Sequence, residues 1–115
     1  MLVFTNDVKS EGLDKELLVR LEQASTVAQM DLTITSGLRS GVQGVDHGIK
    51  NGPHMSGSAV DLRCHDSVTR YKILKALLEV GFKRIGIGKI HLHCDVASGI
   101  NSPQMVAWLE LNDDK

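Results

Sequence analysis

The chain of 115 residues has few cysteines, no long apolar run and almost no net charge. Two cysteines, Cys64 and Cys94, are too few for a disulfide framework and lack the paired spacing of a structural zinc site. We therefore expect two buried free thiols rather than a disulfide. No apolar run approaches the roughly 18 residues that a membrane-spanning helix needs, so we expect no stable membrane insertion.

The formal charge is −1, and acidic and basic residues are interspersed along the chain. Without a basic cluster, nucleic acid is not an expected partner. The amino-terminal stretch also lacks a basic segment followed by a longer apolar one, so the pattern predicts synthesis in the cytoplasm without a signal peptide. Such a protein reaches a target beyond the membrane only if another agent releases it.

Length and hydrophobic periodicity together predict one α+β domain over residues 1–115. Residues 13–29 have the apolar spacing of an amphipathic helix, and residues 31–36 alternate as a strand does. A glycine-rich stretch at residues 41–52 has no periodic face and is interpreted as a functional loop. A strand over residues 59–64 follows.

The carboxyl-terminal half is expected to form a helix, a hairpin and a last helix. The first helix begins after a cap at Asp66 or Ser67. Its expected buried stripe is Val68, Tyr71, Leu74, Leu77 and Leu78. Residues 83–87 and 89–96 flank Gly88 and predict a hairpin, while Ser102 and Pro103 suit the start of a helix with Met105, Val106, Trp108 and Leu109 in the core. The fold class is thus a small α+β domain with a central antiparallel or mixed sheet flanked by about three helices.

Strand alternation separates apolar from polar side chains in both central strands. In residues 89–96, it places His91, His93 and Asp95 on the face opposite Leu92 and Cys94. In residues 59–64, Asp61 likewise opposes Val60 and Leu62. If both strands belong to one sheet, the two histidines and the aspartates meet on the surface away from the core.

His54 precedes Asp61 by seven residues, with small residues between them that allow the chain to turn. Two imidazoles and one carboxylate leave a fourth position open, as in catalytic zinc sites, whereas structural sites are usually closed by four protein ligands. The pattern therefore predicts one zinc ion per chain. His65, at the start of a helix, is interpreted as an ordinary surface residue.

Three stretches resemble a known family: SGLRS at residues 36–40, HMSGSAVD at 54–61 and HLHCDV at 91–96. They are similar to the zinc D-Ala-D-Ala carboxypeptidase group, whose relatives include phage L-alanyl-D-glutamate endopeptidases, lysostaphin-type enzymes and the hedgehog amino-terminal signalling domain. The similarity covers about residues 13–98. It implies zinc ligands at His54, Asp61 and His93.

The resemblance also implies roles for residues around the metal. His91 would face the reacting water or the developing oxyanion, and Arg39 would bind a carboxylate or carbonyl of the substrate, to which a guanidinium is well matched. Ser56 would contact substrate. Asp95 lies on the metal face and would act in catalysis or orient a histidine.

One position departs from the family pattern. Many carboxypeptidase relatives have an acidic general base three residues before the last zinc ligand, where this chain has Ile90. The acidic position of hedgehog domains, six residues before that ligand, is Ile87. His47 or Asp46 of the glycine-rich loop, or His91, are the candidates for the missing group.

The expected function is therefore a zinc metallopeptidase, endopeptidase or carboxypeptidase, that cuts peptidoglycan peptides in the bacterial cell wall. Synthesis without a signal peptide fits a phage endolysin-type enzyme, and a phage tail component or a bacterial wall-remodelling protein is equally compatible. We expect a monomer. The alternative is a catalytically silent, zinc-stabilised binding module of hedgehog type. A phosphoesterase or nuclease is disfavoured because basic residues do not surround the histidines.

Overall fold

A six-stranded mixed sheet is the framework of the computed structural model, which describes residues 1–5, 8–37, 45–46, 49–50 and 57–110, with only the backbone at 45–46 and 49–50. Together with two helices it forms a small α+β domain, as expected. The strands are β1 (Leu2–Phe4), β2 (Leu32–Ser36), β3 (Val45–Asp46), β4 (Ile49–Lys50), β5 (Ala59–Arg63), β6 (Arg84–Ile87), β7 (His91–Asp95) and β8 (Val106–Leu109). The helices are α1 (Lys15–Ala28) and α2 (Ser67–Glu79).

The order of strands in the large sheet is β1-β2-β5-β7-β6-β8. The three inner pairings are antiparallel, including the predicted hairpin of β6 and β7, and the two outer pairings are parallel. Strands β3 and β4 form a separate antiparallel pair within residues 41–52, where the sequence predicted a loop. The two strands that carry the motif residues, β5 and β7, are therefore central neighbours.

Both long helices begin at a capping aspartate. The Asp14 carboxylate accepts hydrogen bonds from the backbone N–H groups of Glu16 and Leu17, and the Asp66 carboxylate accepts one from Thr69. These bonds satisfy donors that the first helical turn leaves without partners. The two predicted helices and the Asp66 cap are confirmed.

The predicted buried stripe of α2 is largely wrong. Val68, Tyr71 and Leu78 are 59–67% exposed, whereas the buried residues of the helix are Ile73, Ala76 and Leu77. Apolar side chains occur on two faces of this helix, so composition alone does not decide which face packs against the sheet.

The predicted last helix is also wrong, because its residues form β8. Met105 has a left-handed φ of 62°, which is incompatible with a helix interior. The N–H groups of Val106 and Glu110 donate to Lys83 and Ile87 of the neighbouring strand region instead of to a helical turn. A short apolar run is ambiguous between helix and strand, and here the sheet edge determines the outcome. The described residues therefore contain two helices rather than about three, and Met105 and Leu109 are exposed rather than in the core.

The predicted alternation of β5 and β7 is confirmed. The helices cover one face of the sheet, where the central side chains are fully buried: Val60, Leu62, Cys64, Leu92 and Cys94. The two cysteines are free thiols, as expected. No helix within the described part of the chain is long and apolar enough to cross a membrane.

Candidate metal centre

The polar face of the sheet contains a row of residues that crosses four strands. Asp61 of β5 pairs with His93 of β7, His93 pairs with Gly86 of β6, and Gly86 pairs with Trp108 of β8. Residues paired in this way point to the same face of a sheet. The row therefore brings the predicted ligands and the last strand together on the face opposite the core.

Asp61 and His93 occupy a closely spaced position of the β5–β7 ladder. The N–H of Cys64 donates to the carbonyl of Ile90, which makes that pair a hydrogen-bonded one. Because hydrogen-bonded and non-hydrogen-bonded pairs alternate in an antiparallel ladder, residues 61 and 93 form a non-hydrogen-bonded pair, in which side chains lie closer together. Register alone thus predicts direct contact between the carboxylate and the imidazole.

His93 lies between two carboxylates. Its Nδ1 is 3.2 Å from Oδ1 of Asp61, and its Nε2 is 2.7 Å from Oδ2 of Asp95. The other oxygen of Asp95 accepts hydrogen bonds from Nε of Arg84 at 2.7 Å and from the N–H of Ala97 at 3.1 Å. Asp95 therefore fixes the orientation of the imidazole, with Nδ1 directed towards Asp61.

The same contacts shift the pKa values of both groups. Burial alone lowers the pKa of His93, but the hydrogen bonds and charges of Asp61 and Asp95 outweigh it and raise the pKa to about 10. Burial raises the pKa of Asp95, but the hydrogen bond and charge of His93 and those of Arg84 bring it below its usual value. Without a metal, His93 is thus an imidazolium that donates from both nitrogens.

His91 is on the same face, beside a carboxylate that comes from the end of β8. Its Nε2–H donates to Oε1 of Glu110 at 2.9 Å and is 3.9 Å from Oδ1 of Asp61. The indole N–H of Trp108 donates to Oε2 of Glu110 at 2.7 Å. N–H donors thus orient both oxygens of Glu110, which is 8% exposed.

A buried group of three residues could hold a metal ion. Asp61, His93 and Glu110 each offer one ligand atom, and these atoms all lie within 4.8 Å of one another. Two ligands at tetrahedral angles around zinc are roughly 3.3 Å apart, given metal–ligand distances of about 2.0–2.1 Å. The 3.2 Å separation of Asp61 Oδ1 and His93 Nδ1 fits this spacing. Carboxylate oxygen and imidazole nitrogen are also ordinary zinc donors.

Trp108 and Arg84 cover the cluster from the side of β8. The indole ring is 5.4 Å from the imidazole of His93, centroid to centroid, and the guanidinium carbon of Arg84 is 5.1 Å from the indole centroid. Gly86 makes this approach possible, because a Cβ atom there would lie 2.7 Å from Oε2 of Glu110 and 2.8 Å from Nε1 of Trp108.

The structure brings together four of the residues predicted from sequence. Asp61, His91, His93 and Asp95 form one buried cluster. The other predicted site residues, and the side chain of Asp46, lie outside the described residues: Arg39, His47, His54 and Ser56. The expected roles of these residues, including His54 as a ligand, stay predictions.

Sequence reasoning missed Glu110, Arg84 and the position of Trp108. The predicted last helix included Trp108 and Glu110, and residues two positions apart in a helix point in different directions. The signal that was available is their separation by two residues, which puts them on one side of a strand. Arg84 lies two residues before Gly86 and therefore on the same face of β6, where its guanidinium forms an ion pair with Asp95.

A scan against protein-family models, a search of the curated proteins and a search of the solved structures each found no match. The geometry of the cluster is therefore the main ground for a functional proposal.

Proposed function

We propose that this protein is a zinc-dependent metallopeptidase that hydrolyses peptide bonds in peptidoglycan stem peptides or cross-links. The motifs that resemble the zinc D-Ala-D-Ala carboxypeptidase group motivate the proposal. The observation that carries it is the arrangement of His93, which has Nδ1 directed at the carboxylate of Asp61 and Nε2 bonded to the buried Asp95. Metal-binding histidines commonly have such a carboxylate on the second nitrogen.

The chain has the donors that a zinc ion would need. Asp61 and His93 would bind it through Oδ1 and Nδ1, with His54 as the further ligand expected from the sequence. A bound zinc ion supplies Lewis acidity, which polarises a carbonyl group and lowers the pKa of water to about 7. His91 would face the reacting water or the developing oxyanion, since its Nε2 lies 3.9 Å from Oδ1 of Asp61 on the metal face.

Arg63 supports a peptide substrate with a free carboxylate. It pairs with His91 in the β5–β7 register, so its side chain is on the metal face, and it is exposed to solvent. Its side chain makes no hydrogen bond or ion pair with the described part of the chain. A guanidinium in this position matches a carboxylate bidentately. A peptide substrate with a free carboxylate would therefore have a charged partner at this end of the site.

The experiment that tests this function combines zinc content with hydrolysis. We expect one zinc ion per purified chain and the release of new amino groups from peptidoglycan, with the bond identified by mass analysis of defined muropeptides. Asp61→Ala and His93→Ala should remove both zinc and hydrolysis. His65→Ala, at an exposed histidine away from the cluster, is the matched control and should change neither.

Two results would contradict the proposal in different ways. Unchanged zinc content in Asp61→Ala and His93→Ala would show that the cluster is not the metal site. Stoichiometric zinc without hydrolysis of several peptidoglycan types would instead support the zinc-stabilised binding module.

A further inference from the structure

Glu110 is a buried carboxylate whose described partners come from β7 and β8. Ala107 and Leu109 of β8 are exposed, whereas Glu110 follows β8 on the opposite side of the strand and its side chain is 4% exposed. An ionised carboxylate is buried at high cost unless donors replace its hydration. Here the imidazole of His91 and the indole of Trp108 provide those donors, one to each oxygen.

The other two carboxylates of the cluster have different partners. Asp95 accepts from Arg84, Ala97 and Nε2 of His93, on the side of the imidazole away from Asp61. Asp61 contacts the nitrogen that would bind the metal. Asp61 and Asp95 both contact His93, whereas the described donors to Glu110 are His91 and Trp108.

We propose that Glu110 is a catalytic residue of this site, supplying the carboxylate that is missing at Ile90. The inference rests on the proposed peptidase function. As the attacking water forms the new C–O bond, Glu110 accepts a proton from that water, and it delivers the proton to the amine nitrogen as the C–N bond breaks. His91 and Trp108 orient the carboxylate. The acid therefore comes from the last strand and not from the segment that precedes the final zinc ligand.

Gly86 supports this assignment because its lack of a side chain leaves the space that the carboxylate of Glu110 occupies. Gly86 lies between His93 and Trp108 in the row across the sheet. Any larger residue would place its Cβ within 2.8 Å of the carboxylate carbon of Glu110. The sheet thus has no side chain at a position where a Cβ would collide with the carboxylate.

The competing role for Glu110 is that of a metal ligand, together with Asp61 and His93. The two roles differ in what happens to the metal when Glu110 is changed. Loss of a ligand lowers the zinc content, whereas loss of a proton-transfer group leaves the metal in place and slows the reaction. Glu110→Gln keeps the size of the side chain and removes its charge, so it separates the two.

The experiment compares Glu110→Gln, Glu110→Ala and Trp108→Phe with the unchanged protein, using zinc content, KM and kcat on a defined muropeptide. Glu79→Gln, on the exposed face of α2, is the matched control for loss of a glutamate charge. We expect all variants to retain one zinc ion. For Glu110→Gln, kcat should fall by at least ~10²-fold with little change in KM, since general acid–base catalysis contributes about 10²–10⁴-fold. Added formate should restore part of the rate of Glu110→Ala, because it replaces the missing carboxylate.

Trp108→Phe removes one N–H donor without changing Glu110 and should give a smaller loss of kcat. Zinc loss in Glu110→Gln overturns the inference in favour of a ligand role. Retention of zinc with a rate close to that of the unchanged protein overturns it as well, and leaves the peptidase function intact. If the unchanged, zinc-loaded protein is inactive on every peptidoglycan tested, both proposals fail together.

Discussion

Replacing Gly86 with alanine tests the arrangement of the site without altering any residue that is proposed to bind or react. The new Cβ would be 2.7 Å from Oε2 of Glu110 and 2.8 Å from Nε1 of Trp108. Carbon atoms in normal contact are about 3.5–4.0 Å apart. The carboxylate and the indole must therefore move by roughly 0.7 Å or more, which stretches the 2.9 Å hydrogen bond from His91 beyond its useful range.

The magnitude follows from two opposing effects on the free energy of unfolding. Overpacking costs about 1–3 kcal/mol, while removing a glycine from the unfolded chain stabilises by about 0.4–1 kcal/mol. A net loss of about 1–2 kcal/mol is expected. Hydrolysis should fall on the order of 10²-fold, because a displacement approaching 1 Å at a reacting group has an effect of this size.

The assay is a double-mutant cycle of Gly86→Ala and Glu110→Ala, measured by urea unfolding and by kcat. Truncating Glu110 removes part of the clash. The loss of unfolding free energy in the double variant should therefore be about 1 kcal/mol smaller than the sum of the losses in the two single variants. Gly37→Ala is the control for the change of residue type, since its Cβ would meet side chains only at 3.4 Å and beyond. Additivity of the two changes within about 0.5 kcal/mol would refute the reasoning.

Three further predictions concern His93, Asp95 and Arg63. In the presence of EDTA, the free energy of unfolding should fall as pH rises from 6.5 towards about 10. The raised pKa of His93 stabilises the fold fully below pH 6.5, and this stabilisation is lost as the proton leaves the imidazole. Excess zinc should abolish the fall, and a flat profile under both conditions would contradict the prediction. Asp95→Asn should weaken zinc affinity by about 10–100-fold in a competition assay with a chelator, because it lowers the basicity of the bound imidazole. An unchanged affinity would mean that Asp95 does not act through His93. Arg63→Ala should raise KM for peptides with a free carboxylate but not for their amidated counterparts, and an equal effect on both would exclude the proposed contact.

The polar cluster was predictable from sequence wherever strand alternation applied. Alternation placed Asp61, His91, His93 and Asp95 on one face, and the structure brings these four together. The two long helices were also evident, the first from its apolar spacing and the second from the predicted cap at Asp66 or Ser67. These signals are local, and each depends on residues that lie only a few positions apart.

The contribution of β8 was not predictable in the same way. Residues 106–109 form a short apolar run, and their conformation depends on pairing with β6, which lies some twenty residues earlier in the chain. Glu110 reaches the site only because of that pairing. The buried face of α2 was misjudged for a related reason, since Tyr71 and Ile73 are equally plausible core residues until the sheet is in place.

The position of β8 at the edge of the sheet has a consequence for the dynamics of the site. Within the described residues β8 pairs only with β6, and its parallel ladder covers four residue pairs. Edge elements with few buried contacts open locally at a lower free energy than the core does. Each such opening would carry Glu110 and Trp108 away from His93 while the helices and the inner strands stay folded. The fraction of molecules with a complete site would then be set by fraying of one strand rather than by global stability, and hydrogen exchange at Val106 and Trp108 would report it directly.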